Sequence, residues 1–410
     1  MRKFFVFCLL LTSLHITAQR NEIHNDNIAS LQVVADDNWL SPPVIMLNRG
    51  QHINISFDDL THEYHRYVYR IEHCEADWSP SENLFAADFC DGFVDGNVIE
   101  DMMESVNTNV LYTHYTLQIP NKLCVPKISG NYKVHVYDGN TDEPAFTACF
   151  MMVEPLFGVR LDVTTNTDVD INGGHQQISM AINYGSQRVT SPKTEIKTVV
   201  MQNGRWTNAV RNAEPQYIMS DGLQWEHNKS LIFDAGNEFH KFETLDVTHT
   251  TLGLQSVAWD GNDYHAYVWP DDPRPNYVYD EDANGAFYIR NSDNVENDRV
   301  SEYLFVHFQL NTMPLQGRVF INGVWTHDQF LPQYEMVYDQ ELKAYTLTVP
   351  LKQGYYSYQY VLQLPDGTCR YVPSEGSFFQ TENQYQALVY FRGTGQRTDR
   401  LVGYQQITFR

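Results

Sequence analysis

The chain has 410 residues, 42% hydrophobic and 13% aromatic, with a formal net charge of −23 at pH 7. That length exceeds one ordinary domain and predicts two or three, each with enough apolar residues for a core. So acidic a surface repels phosphate backbones and anionic headgroups, which argues against nucleic acid as a partner and against direct membrane insertion.

At the N-terminus, Arg2 and Lys3 precede an apolar run, Phe4 to Leu14, and Thr17-Ala18 offers a small-residue cleavage site before Gln19. This order predicts a secretory signal peptide over residues 1–18. The run is too short to span a membrane, and no later run reaches that length. No Cys follows the apolar run to carry a lipid anchor.

From there the dominant signal is alternation with period two. Tyr67, Tyr69 and Ile71 face one way while Arg66, Arg70 and Glu72 face the other. The pattern repeats at Tyr115, Leu117 and Ile119, at Tyr132, Val134 and Val136, at Ile178, Met180 and Ile182, and at Tyr345, Leu347 and Val349. Turn formers punctuate these runs: Asp138-Gly139-Asn140, Asn172-Gly173-Gly174, Asp221-Gly222, Asp260-Gly261-Asn262, Asn284-Gly285 and Pro365-Asp366-Gly367. Helical spacing occurs once, at Val98, Met102 and Val106 beside Ile99 and Met103, and predicts one short helix. The expected fold is all-β: three consecutive immunoglobulin-like or early-set sandwiches after the signal peptide, at 19–154, 155–300 and 301–410. Ser129-Gly130-Asn131-Tyr132, leading into a strand, matches the tyrosine corner of such sandwiches.

Without Cys8 of the leader, Cys74, Cys90, Cys124, Cys149 and Cys369 remain. Export implies an oxidising compartment, so at least one disulfide is expected among Cys74, Cys90, Cys124 and Cys149. Sequence proximity favours Cys74 with Cys90, or Cys124 with Cys149; five buried thiols is the alternative.

Catalytic motifs are sparse. His62-Glu63-Tyr64-His65 spaces its histidines three apart, where a zinc-protease helix needs four. No Gly-Lys dipeptide and no Gly-x-Ser-x-Gly elbow occur. Asp280 to Asn284 fits the first half of a calcium loop, but its twelfth position is Asn291 instead of Glu. Asn284-Gly285 reads instead as a hairpin turn. Neither a metal nor a cofactor is expected. Near the C-terminus, Gly323-Val324-Trp325 and later Gly354-Tyr355-Tyr356 look like the early-set sandwich of glycogen-binding modules, with one Trp where those modules use several.

Blocks spread along the chain carry a wider resemblance. They are Ser56-Phe57-Asp58-Asp59-Leu60, His73 to Ser81, Tyr112-Thr113-His114-Tyr115, Gln202-Asn203-Gly204-Arg205-Trp206 and Gly236-Asn237-Glu238-Phe239. Leu351-Lys352-Gln353-Gly354-Tyr355-Tyr356, Glu375-Gly376, Thr381 to Tyr385 and Asp399-Arg400-Leu401-Val402-Gly403 follow. In this order they resemble the plug protein family of the type IX secretion system. The resemblance implies a multi-domain β protein without catalytic residues, periplasmic and held at the outer membrane through a protein partner. Its implied role is to close the periplasmic mouth of an outer-membrane translocon barrel. The resembling family usually carries Arg after Asn-Glu-Phe, where this chain has His240, so the resemblance does not carry over that one local contact.

Two functions are therefore expected in order: a non-enzymatic plug, and alternatively an exported glycan-binding protein. Trp206, Tyr355 and Tyr356 lie near turns where an aromatic can anchor an interface. The plainer reading of each is core or edge packing.

Overall fold

The computed structural model describes residues 20–410, so the expected signal peptide lies outside the described residues. Alternating apolar positions become strands throughout, and the architecture is all-β. Apolar side chains collect into three main cores.

In the first core, one sheet runs Glu22–Ile23, Pro144–Val153, Gly130–Asp138, Tyr67–Cys74, Asn97–Val98. Val44–Met46 adds to it in parallel beside Pro144–Val153. A second sheet orders Ile28–Ala35, Ile53–Asp59, Thr113–Ile119 and Asp101–Glu104. Their facing side chains, including Ile55, Phe57, Tyr69, Tyr115, Tyr132 and Phe146, bury one another. The tyrosine corner is present: the Tyr132 hydroxyl donates to the Ile128 carbonyl at 2.7 Å. Where a helix was expected around Val98 to Val106, the chain forms strands Asn97–Val98 and Asp101–Glu104 instead. The second pairs with Thr113–Ile119, whose backbone groups offer hydrogen bonds that a solitary helical turn would forgo.

Residues 155–235 and the C-terminus build the middle core jointly. Gly158–Thr164, His175–Asn183, Gly222–Trp225 and Tyr217–Ile218 form one sheet. The opposing sheet orders Val210–Arg211, Ile196–Gln202, Asn383–Phe391 and Arg400–Phe409. Tyr385, Ala387, Val389, Phe391 and Val402 of the last two strands pack among Met180, Trp225 and Phe233. This corrects the expected boundaries at 300 and 301 and the expectation of consecutive sandwiches. Alternation reports which face of a strand is buried and is silent about its neighbour, here more than 180 residues away.

The third core is inserted between those halves. A ten-stranded sheet passes from His240–Glu243 through Gly354–Gln363, Arg318–Asn322, Glu335–Asp339, Ala344–Lys352, Tyr303–Leu310 and Tyr264–Val268 to Leu254–Trp259, with Phe287–Ile289 and Cys369–Tyr371 also paired to Gly354–Gln363. It wraps a single aromatic-rich cluster. Tyr356 makes a second tyrosine corner, its hydroxyl donating to the Lys352 carbonyl at 2.6 Å. Both corners open with Gly-x-Tyr at the start of a strand.

The predicted turns form where Gly, Asn and Asp stand. Asp260 accepts from the backbone N–H groups of Asn262 and Asp263, closing the Leu254–Trp259 hairpin. Asn284 and Gly285 both take positive φ, 49° and 89°, as a type I′ turn requires. No strand precedes that turn, so it reverses a loop rather than a hairpin.

Candidate functional site

The cores meet at buried charges, and the sequence blocks of the plug resemblance converge on these meetings. Between the first and third cores, Asp58 is the penultimate residue of the strand Ile53–Asp59 and Lys352 ends Ala344–Lys352. The Lys352 ammonium donates to Asp58 Oδ2 at 2.6 Å, and the side chains are 1% and 0% exposed. His114 Nδ1 lies 2.6 Å from Asp58 Oδ1, and the Tyr303 hydroxyl donates to Oδ2 at 2.7 Å. Lys352 also donates to the Asp298 carbonyl at 2.7 Å and lies 4.0 Å from the centre of the Tyr112 ring. Burial by itself would raise the Asp58 pKa; the Lys352 charge and the His114 bond overcome it and hold the carboxyl below its usual range. Burial also dominates at Lys352 and lowers its pKa, against the pull of Asp58. Every polar atom of this pair has a partner, the condition under which a buried ion pair is tolerated.

The first and middle cores share a second cluster. Asp399 accepts from Lys197 at 2.8 Å, from Arg392 Nε at 2.9 Å and from the Ala76 N–H at 3.0 Å. Arg392 reaches across to Glu75, and Arg400 to Glu154 at 2.6 Å. Beside it an apolar seam of Cys74, Trp78, Met151, Met201, Trp206 and Leu388 closes the contact. Trp78 and Trp206 meet edge to face at 5.7 Å.

A third cluster pins the crossing from middle to third core. The outgoing and returning linkers bond each other: Asn237 donates to the Glu375 carbonyl at 2.8 Å and Thr381 to the Gly236 carbonyl at 2.9 Å. His240 sits at their junction, Nδ1 2.9 Å from Asp271 and Nε2 2.7 Å from Glu375. Burial would lower its pKa, but the two carboxylates override that and raise it to about 9, so the ring is an imidazolium at neutral pH. Both nitrogens then donate.

All three cores line a half-open cavity of about 370 Å³. Trp39 comes from the first, Asn203 and Trp206 from the middle, Asp282, Asn284 and His327 from the third. Burial pushes the Asp282 pKa up to about 7 although it accepts from the backbone N–H groups of Asn284 and Phe239. Within the segment Asp280 to Asn284, which fits only the first half of a calcium loop, the Lys241 ammonium bonds Asp280 at 2.6 Å, a cation of the chain's own on that carboxylate.

Of the residues singled out from sequence, Trp206 is a junction residue, 7% exposed, joining two cores of one chain. Tyr355 meets Trp39 edge to face at 5.7 Å across the first and third cores. Tyr356 is 1% exposed and packs on Phe242, Phe287 and Trp325, so it has no face to offer a partner. Trp325 is likewise core, 6% exposed, and forms no sugar platform. Among the described residues neither Cys74–Cys90 nor Cys124–Cys149 is bonded; the sulfurs that meet are those of Cys90 and Cys124, 3.3 Å apart. Asp58, Lys352 and His240 escaped notice as joints, although a Lys closing an apolar strand run was the available signal.

Fold and junctions together define a multi-core β protein whose most specialised side chains join one core to the next. A family model described as the type 9 secretion system plug protein 1st domain matches residues 28–154. The crystal structure of a hypothetical protein from Parabacteroides merdae ATCC 43184 is 36% identical, with a TM-score of 0.92, over 95% of this chain and 99% of that one. The chain belongs to the type IX secretion system plug protein family. The C-terminal domain of the Streptococcus pyogenes antigen I/II-family protein AspA aligns over 92% of this chain and 98% of that one, with 8% identity and a TM-score of 0.16, too low to bear on the fold. No curated protein matches the chain.

Proposed function

We propose that this protein is a non-enzymatic plug that sits in the periplasm, binds the outer-membrane translocon barrel of type IX secretion and seals its periplasmic opening. Family membership supports the partner class. The observation that carries the reading is the set of ion clusters between cores: Asp58–Lys352 fully buried, Asp399 buried beneath the partly exposed Arg392 and Lys197, and His240 with its two carboxylates, which tie three cores into one body. A stopper has to keep its shape while wide enough to obstruct a pore. Among the described residues no helix is long and apolar enough to cross a membrane, so attachment runs through the partner. Crosslinking in cells followed by purification of the translocon tests this. The chain is expected with the barrel, and its deletion is expected to make the outer membrane leakier to large antibiotics. Absence from the purified barrel together with an unchanged leak overturns the reading.

A glycan-binding reading rests on one surface. On the outer face of the third core, Tyr267 stacks on His307 at 4.3 Å, and His307 and Phe305 stack with His265 at 5.1 and 5.5 Å. Trp269, 57% exposed, lies two residues beyond Tyr267. Such a row suits the apolar face of a sugar ring. Binding to a glycan array that Tyr267→Ala abolishes supports it; no binding by the native chain removes it.

A further inference from the structure

We propose that Cys90 and Cys124 form a disulfide in the exported protein, stapling the small ribbon that edges the first core. This rests on the export reading above. Cys90–Gly92 and Cys124–Pro126 pair antiparallel as a sheet of their own, separate from the two sheets of the first core. The register sets Cys124 opposite Gly92 and Pro126 opposite Cys90, so both cysteines project from the same side. Both are buried, at 3% and 0% exposure, and their sulfurs lie 3.3 Å apart, a close contact between unbonded atoms. The strands are drawn together tightly: a Cβ on Gly92 would fall 2.1 Å from the Leu123 carbonyl oxygen. Meanwhile the ribbon leaves Phe93, Leu123 and Val125 exposed at 68%, 45% and 41%. A ribbon this short is marginal without a further tie.

The chemistry needs a two-electron oxidant, which a protein disulfide of the thiol–disulfide oxidase class supplies. The Cys90 thiol, its pKa lowered by the hydrogen bond from Cys124, loses its proton to solvent and attacks one sulfur of that disulfide. The other oxidant sulfur leaves as a thiolate. Cys124, deprotonated in turn, attacks Cys90 Sγ in the mixed disulfide, forming the intrachain bond and releasing the oxidant as a dithiol. Cys74 and Cys149 have no such option. Cys74 pairs with Asn131 and Cys149 with Lys133 on opposite edges of Gly130–Asp138, so a whole strand separates them. Cys369 lies alone in the third core.

The test is mass spectrometry of full-length protein from the periplasmic fraction, unfolded without reductant, alkylated and digested. The expected result is a Cys90–Cys124 linked peptide pair with Cys74, Cys149 and Cys369 alkylated. Five alkylated cysteines, or any other pair, overturns the proposal. Protein found only in the cytoplasm overturns the export reading instead. The pairing is then read on purified protein treated with oxidised glutathione, where failure to link these two sulfurs overturns it. Cys90→Ser should lower the melting temperature by roughly 4–10 °C without reductant and leave it level with the parent chain in dithiothreitol. An equal loss in both buffers means the serine only disturbs packing and contradicts the staple.

Discussion

Lys352 and Asp58 face each other almost wholly out of solvent, each the main compensation for burying the other. Lys352→Met strands the Asp58 carboxylate, with only His114 and Tyr303 left to it. The expected cost is about 3–5 kcal/mol by denaturant unfolding. Adding Asp58→Leu should recover most of it, because the uncompensated charge goes too. A double variant no more stable than the single one contradicts this account of the pair. At His240 the sign runs with protonation. Its folded pKa of about 9 lies above the ordinary 6.5, so its contribution is full below pH 6.5 and is lost as pH rises through 9. His240→Arg should flatten the fall in melting temperature over that window; an unchanged pH profile would show that the imidazolium is not the joint. Residue-scale legibility was uneven. The Asn-Glu-Phe-His departure was visible in the sequence, but its consequence was not, because Asp271 and Glu375 come from 31 and 135 residues further along.

Among the elements, period-two alternation located strands well because each strand buries one face, and a buried face is written locally. Pairing is not written locally, which is why Asn383–Phe391 and Arg400–Phe409 read as part of the third unit and are found closing the middle one. The helix expected near Met102 failed for a related reason: a strand edge outbid a four-residue turn for its backbone groups. The two Gly-x-Tyr corners were half legible, one foreseen at Tyr132 and one overlooked at Tyr356. Replacing either Tyr by Phe leaves a buried carbonyl without its donor and should cost about 1 kcal/mol. Urea midpoints that do not move would remove the corners from the account of stability. Ending the chain at residue 382 takes Tyr385, Val389, Phe391 and Val402 out of the middle core. Limited proteolysis should then cut within residues 155–235 while 240–372 resists. Equal resistance along the whole truncated chain would contradict the shared core.

On the scale of the whole molecule, the blocks that mark the family are explained by position. Asp58, His114 and Lys352 meet at one junction, Glu75 and Asp399 at the next, His240 and Glu375 at the third. Motifs scattered over hundreds of residues thus describe how the cores are held, and a body so held suits an obstruction better than a flexible tether would. The face that the proposed plug would turn to its partner was not legible, since Trp206 and Tyr356 are spent inside the chain. The most direct measurement is the conductance of the purified translocon barrel in a planar bilayer, with this protein added from the periplasmic side. The account predicts that the open-pore current falls to a closed level at saturating protein and recovers when the protein is washed out. An open-pore current unchanged at saturating protein would contradict it.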